Sequence, residues 1–151
     1  MNADRDAFKT SIMILSPSGN PPQVRNNLIY ANTNFGIDAT GGTSVIVDNT
    51  IVQTVGTAVR FTGTATGTVK SNIIQVNVGT LLSVASGGQA GFVSDFNDLF
   101  LGSGAANVGS WQGTTATTLS AWQILTARDA SSISADPQFL DIDGADNVLG
   151  E

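Results

Sequence analysis

Four asparagines, each followed within two positions by a large aliphatic residue, mark the chain at nearly even intervals. They stand in "NNLIYANT", "VDNTIVQT", "SNIIQVNV" and "FNDLFLGS", as Asn27, Asn49, Asn72 and Asn97, spaced 22, 23 and 25 residues apart. Ile29, Ile51, Ile74 and Leu99 follow them. A second series agrees, with Ile14, Ile37, Val59 and Leu82 separated by 23, 22 and 23 residues. Two markers that keep one period identify a repeat of 22–25 residues, and a repeat constrains the fold more than any single motif does.

Within the unit, side chains alternate with period two, which means strand rather than helix. In "TAVRFT", Val59 and Phe61 face together while Arg60 points away, and "GIDA" and "LLSV" place Asp38 and Ser83 at the same outward position. Glycine-rich turns such as "ATGGTS", "TGTATG" and "ASGGQA" separate the units. A unit of short strands this small cannot bury its own apolar face, so it must stack on its neighbours with rungs about 4.8 Å apart. The regular leucine spacing of a leucine-rich repeat is missing. The remaining solution is all-β, a right-handed parallel β-helix of about four rungs. The asparagines then fall at a corner between strands, where a left-handed conformation is tolerated best by Gly and next by Asn. Stacked in successive rungs, each amide can donate to one side and accept from the other, which predicts an internal asparagine ladder.

The composition removes several functions. With 151 residues the chain is expected to be one domain: residues 1–10 a cap or tail, 11–104 the rungs, and 105–151 a loop, a short helix and a tail. A net charge of −6 with only six Lys and Arg argues against nucleic acid, whose phosphates demand cations. The absence of Cys rules out disulfides and thiolate metal sites, and the absence of His removes the commonest general base and metal ligand. No stretch approaches the roughly 18 apolar residues of a membrane span. The N-terminus lacks the basic start and apolar core of a signal peptide. The edges of the end rungs invite pairing, so open ends would permit self-association unless the terminal segments cover them.

The units "NNLIYAN…GID" and "VDNTIVQT…GTAVRF" resemble right-handed β-helix repeats of the pectate-lyase-like superfamily, over about residues 11–140. The tail "SDFNDLF…TLSAWQILTARDASSISADPQFLD" is similar to the closing segment of secreted, repeat-rich members. The resemblance implies a secreted or cell-surface parent, of which this chain would be a part, and polysaccharide as partner. It leaves activity open, because the same coil carries lyases, hydrolases, epimerases, adhesins and spacers.

In that tail Ser120 with Gln123 forms a capping-box pattern, with Leu119 and Ile124 placed as a hydrophobic staple, which predicts a helix over 121–128. Trp111 and Trp122 are expected to pack against the coil. Asp136 and Pro137 start a final extended segment carrying Phe139 and Leu140.

Three constellations could carry chemistry. "DIDGADN" offers Asp141, Asp143 and Asp146 as oxygen ligands for Ca²⁺, without the glutamate an EF-hand loop requires; no other cofactor is expected. Asp38 and Arg60, the catalytic candidates, should be neighbours on successive rungs, forming an exposed ion pair worth under roughly 1 kcal/mol. Asp95 and Asp98 alternate differently along a strand and should diverge. The favoured reading is a non-catalytic β-helix module, structural or carbohydrate-facing. The other is a polysaccharide lyase-like enzyme or remnant acting on acidic polysaccharide, which would bring Asp38, Arg60 and Lys70 into one groove with acids from the tail. A threonine ice-binding face would need Thr-x-Thr in register on every rung, and rungs neighbouring "TGTATGTVK" carry other residues.

Overall fold

Each coil of the solenoid is a three-sided turn, and its sides stack into three faces. The computed structural model describes residues 10–15, 19–104 and 106–140. Face one is a four-stranded parallel sheet of β2 (Gln23–Arg25), β5 (Thr43–Val47), β7 (Thr66–Lys70) and β9 (Val93–Asp95). Faces two and three belong to one eight-stranded sheet, because β6 (Thr50–Phe61) and β8 (Ile73–Val84) run through both. Face two is β3 (Leu28–Tyr30), the first halves of β6 and β8, and β10 (Asp98–Leu101). Face three is β1 (Thr10–Ile14), β4 (Phe35–Ala39), the second halves of β6 and β8, and β11 (Ala106–Trp111). The strand β12 (Thr114–Ala116) then turns back antiparallel on β11 and ends that stack.

The interior consists of rows of like residues in register. Ile29, Ile51, Ile74 and Leu99 stack on face two, and Ala39, Phe61, Val84 and Trp111 on face three. Val24, Ile46, Val69 and Ser94 stack on face one. All are buried, and each buried aliphatic side chain contributes roughly 1.5–3 kcal/mol. The second marker series holds for Ile37, Val59 and Leu82, but its first member is Ile12: Ile14 pairs with Ala39. The bend between faces two and three falls at Gly56 (φ +95°) and Gly79 (φ +132°), which carry the left-handed turn. A Cβ on Gly79 would collide with the Gly56 carbonyl, so only glycine lets these bends stack.

The asparagine ladder is present and its corner differs in one respect from the sequence expectation. The left-handed residues are those preceding the ladder: Asn26, Asp48, Ser71 and Phe96, with φ of 55–59°. That turn aims the next side chain, the ladder asparagine, inward. The Asn27, Asn49 and Asn72 backbone N–H groups each donate to the Oδ1 of the ladder asparagine in the following coil, at 3.0 Å. Each Nδ2 also donates to that oxygen, at 3.0–3.1 Å.

The helix α1 spans Leu119–Thr126, two residues earlier than the expected 121–128. Thr118, not Ser120, is the N-cap; its hydroxyl accepts from the Ala121 N–H at 3.1 Å. The capping box does not form, because Gln123 Nε2 donates forward to the Asp129 carbonyl. Nor does the staple form, since Ile124 is 84% exposed. The earlier start sets Trp122 over Gly109, where a Cβ would strike the indole. Trp122 thereby ends a chain of edge-to-face rings, Phe61–Phe92–Trp111–Trp122, with centroids 5.5–5.9 Å apart. Both tryptophans are core residues.

Candidate functional site

Outward positions on face three form a row across the coils: Met13, Asp38, Arg60, Ser83, Ser110 and Thr115, each in register with the next. Asp38 and Arg60 make a two-pronged pair, Nε to Oδ1 at 2.9 Å and Nη2 to Oδ2 at 2.7 Å. The pair is not the exposed one the spacing suggests. The Asp38 side chain is only 7% accessible and that of Arg60 31%, because the guanidinium is held over the Phe35 ring, its carbon 3.5 Å from the centroid. A bidentate, stacked pair is geometrically specific, and it engages both oxygens of Asp38. Beside it a shallow groove of about 510 Å³ is lined by Thr62, Ser83, Ser86, Ser110 and Gln112 among others, hydroxyls and one amide.

The other candidates lie apart from this row. Lys70 is on β7, in face one, paired in register with Val47 and Asp95. Asp95 and Asp98 hold the C-terminal segment: Asp95 accepts from the Phe96 and Ser131 N–H groups, and Asp98 from that of Ala135. Asp141, Asp143 and Asp146 lie outside the described residues. Among the described residues, no group of three or more acidic residues could hold a metal ion, and no helix is long and apolar enough to cross a membrane.

A second polar centre closes the ladder. The Asn97 N–H donates to Ser132 Oγ at 2.9 Å, where another asparagine would otherwise stand. Asp129, itself in a left-handed turn and 1% exposed, receives Ser132 Oγ, Ser94 Oγ and Asn97 Nδ2 on Oδ1. Its Oδ2 receives Trp122 Nε1 at 2.8 Å. Four donors on one carboxylate satisfy a buried charge without a cation. The sign of this centre in the sequence is Ser94, a polar residue in an otherwise aliphatic row.

A family model for the right-handed β-helix region matches residues 7–120. The chain belongs to that family. No curated protein and no solved structure matches it.

Proposed function

We propose that the chain is a non-catalytic β-helix module, carbohydrate-facing, that works as part of a larger secreted or cell-surface protein. The observation that carries this reading is the closed Asp38–Arg60 pair. General acid–base work needs a group free to take or give a proton, and both Asp38 oxygens are bonded to a guanidinium. A lyase-like site would also require Lys70, which stands on another face. The outer surface offers instead hydroxyls and amides, groups that bond to sugar hydroxyls, in a chain whose net charge of −6 disfavours polyanions.

The test incubates the purified chain with plant, algal and bacterial polysaccharides, with and without Ca²⁺, scoring bound polymer and released unsaturated or reducing ends. Binding without cleavage is the expected result. Cleavage abolished by Asp38→Ala or Arg60→Ala would overturn the reading in favour of an enzyme.

A further inference from the structure

Face two carries a second row, Tyr30, Val52, Gln75 and Phe100, each in register with the next, in which Val52 is covered and the other three are accessible. The C-terminal segment extends it. Ile133 pairs with Asp98 as the start of a further rung, Ser134 Oγ donates to the Leu99 carbonyl at 2.7 Å, and the chain then brings Asp136 and Phe139 to the same pocket as Phe100. A pocket of about 340 Å³ results, lined by Gln75, Asn77, Phe100, Ser103, Asp136 and Phe139, with Gly102 at its wall.

The chemistry of this pocket is mixed in a particular way. Two phenyl rings supply flat apolar surface. Neither the Gln75 nor the Asn77 side chain is bonded to another described residue, and both are half-buried at the pocket wall. Asp136 uses Oδ1 to accept from the Gln138 N–H, and its Oδ2 has no bond to another described residue. A Cβ on Gly102 would occupy the place of the Asn77 amide oxygen, so the glycine is what lets that amide stand at the wall.

We propose that this junction of β8, β10 and the C-terminal segment is a binding site for a neutral glycan. The proposal rests on the carbohydrate-facing reading above and assigns it to face two rather than to the groove on face three. An apolar sugar face lies against Phe100 and Phe139, as rings favour, while Gln75, Asn77, Ser103 and Asp136 bond to hydroxyls at the ring's edge. The carboxylate makes the site selective for uncharged sugars, since a uronate would meet Asp136 with like charge. The row fixes a direction: with rungs about 4.8 Å apart, a pyranose polymer laid along the solenoid axis advances about one rung per residue. It would pass from Phe139 toward Gln75.

The experiment is NMR titration of the full chain with cellohexaose, xylohexaose and mannohexaose, and with polygalacturonate as the anionic probe. At least one neutral hexamer is expected to shift the side-chain amide signals of Gln75 and Asn77. Phe139→Ala and Asn77→Ala should each weaken binding about tenfold, while Ser110→Ala and Gln112→Ala leave it unchanged. Binding lost through Ser110→Ala or Gln112→Ala instead would overturn the face-two site and keep the carbohydrate-facing module. Tighter binding of polygalacturonate than of every hexamer would overturn the neutral-sugar assignment. No binding of any probe would overturn both.

Discussion

Replacing Asn72 by alanine tests the ladder at its centre. Asn72 Oδ1 accepts from the Asn49 N–H and Asn49 Nδ2, both at 3.0 Å. Its Nδ2 donates to the Ile46 and Lys70 carbonyls and to Asn97 Oδ1, at 2.9–3.1 Å. Alanine removes all five bonds. Some partners keep another bond: Asn49 Nδ2 still reaches Val24 and Val47, and the Lys70 carbonyl still accepts from Asp48. The Asn49 N–H does not, and Asn49 is 2% exposed. A buried donor left unpaired costs about 1–3 kcal/mol, and each of the other four bonds lost roughly 0.5, since most of their partners keep another bond. The sum is about 3–5 kcal/mol, a large share of the 5–15 kcal/mol that holds a domain folded.

Asn27 is the internal control. It occupies the same corner, but its side chain is exposed and donates only to the Arg25 carbonyl and Asn49 Oδ1. Water can replace both contacts, so Asn27→Ala should cost under about 1 kcal/mol. Urea unfolding followed by far-UV circular dichroism reads the difference. With a slope near 2 kcal/mol/M, the Asn72→Ala midpoint should fall by about 2 M and that of Asn27→Ala by less than 0.5 M. Equal midpoints would refute the ladder as the origin of the cost, because the two sites share one corner and differ in burial and in the ladder bonds they make.

Three further outcomes are expected. Ser44 Oγ is buried without a partner among the described residues, so Ser44→Ala should raise stability by up to about 1 kcal/mol in the same urea assay; a loss would mean the hydroxyl is bonded. Arg60→Met should cost about 1–3 kcal/mol by stranding the Asp38 carboxylate, and adding Asp38→Asn should recover more than half of it, as a double-mutant cycle would measure. Asp129→Ala takes the acceptor from the Ser94 and Ser132 hydroxyls and from Trp122 Nε1, while Asn97 Nδ2 keeps the Val69 carbonyl and Ser94 Oγ, and should cost about 3 kcal/mol. Calorimetry would read the lower melting temperature, and the Trp122 emission should move to longer wavelength.

The interior of this fold was legible because it repeats. Ile29, Ile51, Ile74 and Leu99 could be aligned without structure, and the register Asp38–Arg60–Ser83 followed from the same count. What was not legible lies where the repeat is broken by something distant. Thr118 rather than Ser120 caps α1 because Trp122 must lie over Gly109, a tertiary demand that local capping patterns do not contain. Asp38 becomes buried because Phe35, three residues earlier in its own strand, supports Arg60 from the next coil; alternation alone counts both charges as outward. The Asp129 centre draws on residues as far as 35 positions apart, so no window along the chain reveals it.

That centre also links stability to the candidate site. In a solenoid each rung is supported by its neighbours, and an end rung with one neighbour opens most readily. Among the described residues, 129–134 form the last partial rung, tied down by Asp129, Ser132 and the Ile133 bridge. The same segment continues into Asp136 and Phe139, which complete the face-two pocket. A glycan bridging Phe139 to Gln75 would therefore join the last rung to the body of the coil, and only the closed form would bind it. Binding then stabilises by RT ln(1 + [L]/Kd), about 2.7 kcal/mol at a hundredfold excess over Kd. The gain should show first as slower hydrogen exchange at the Leu99 and Ile133 amides, which bond across that junction. A ligand held on face three would leave those two amides unchanged, so the exchange pattern separates the two surfaces even where the affinities are alike.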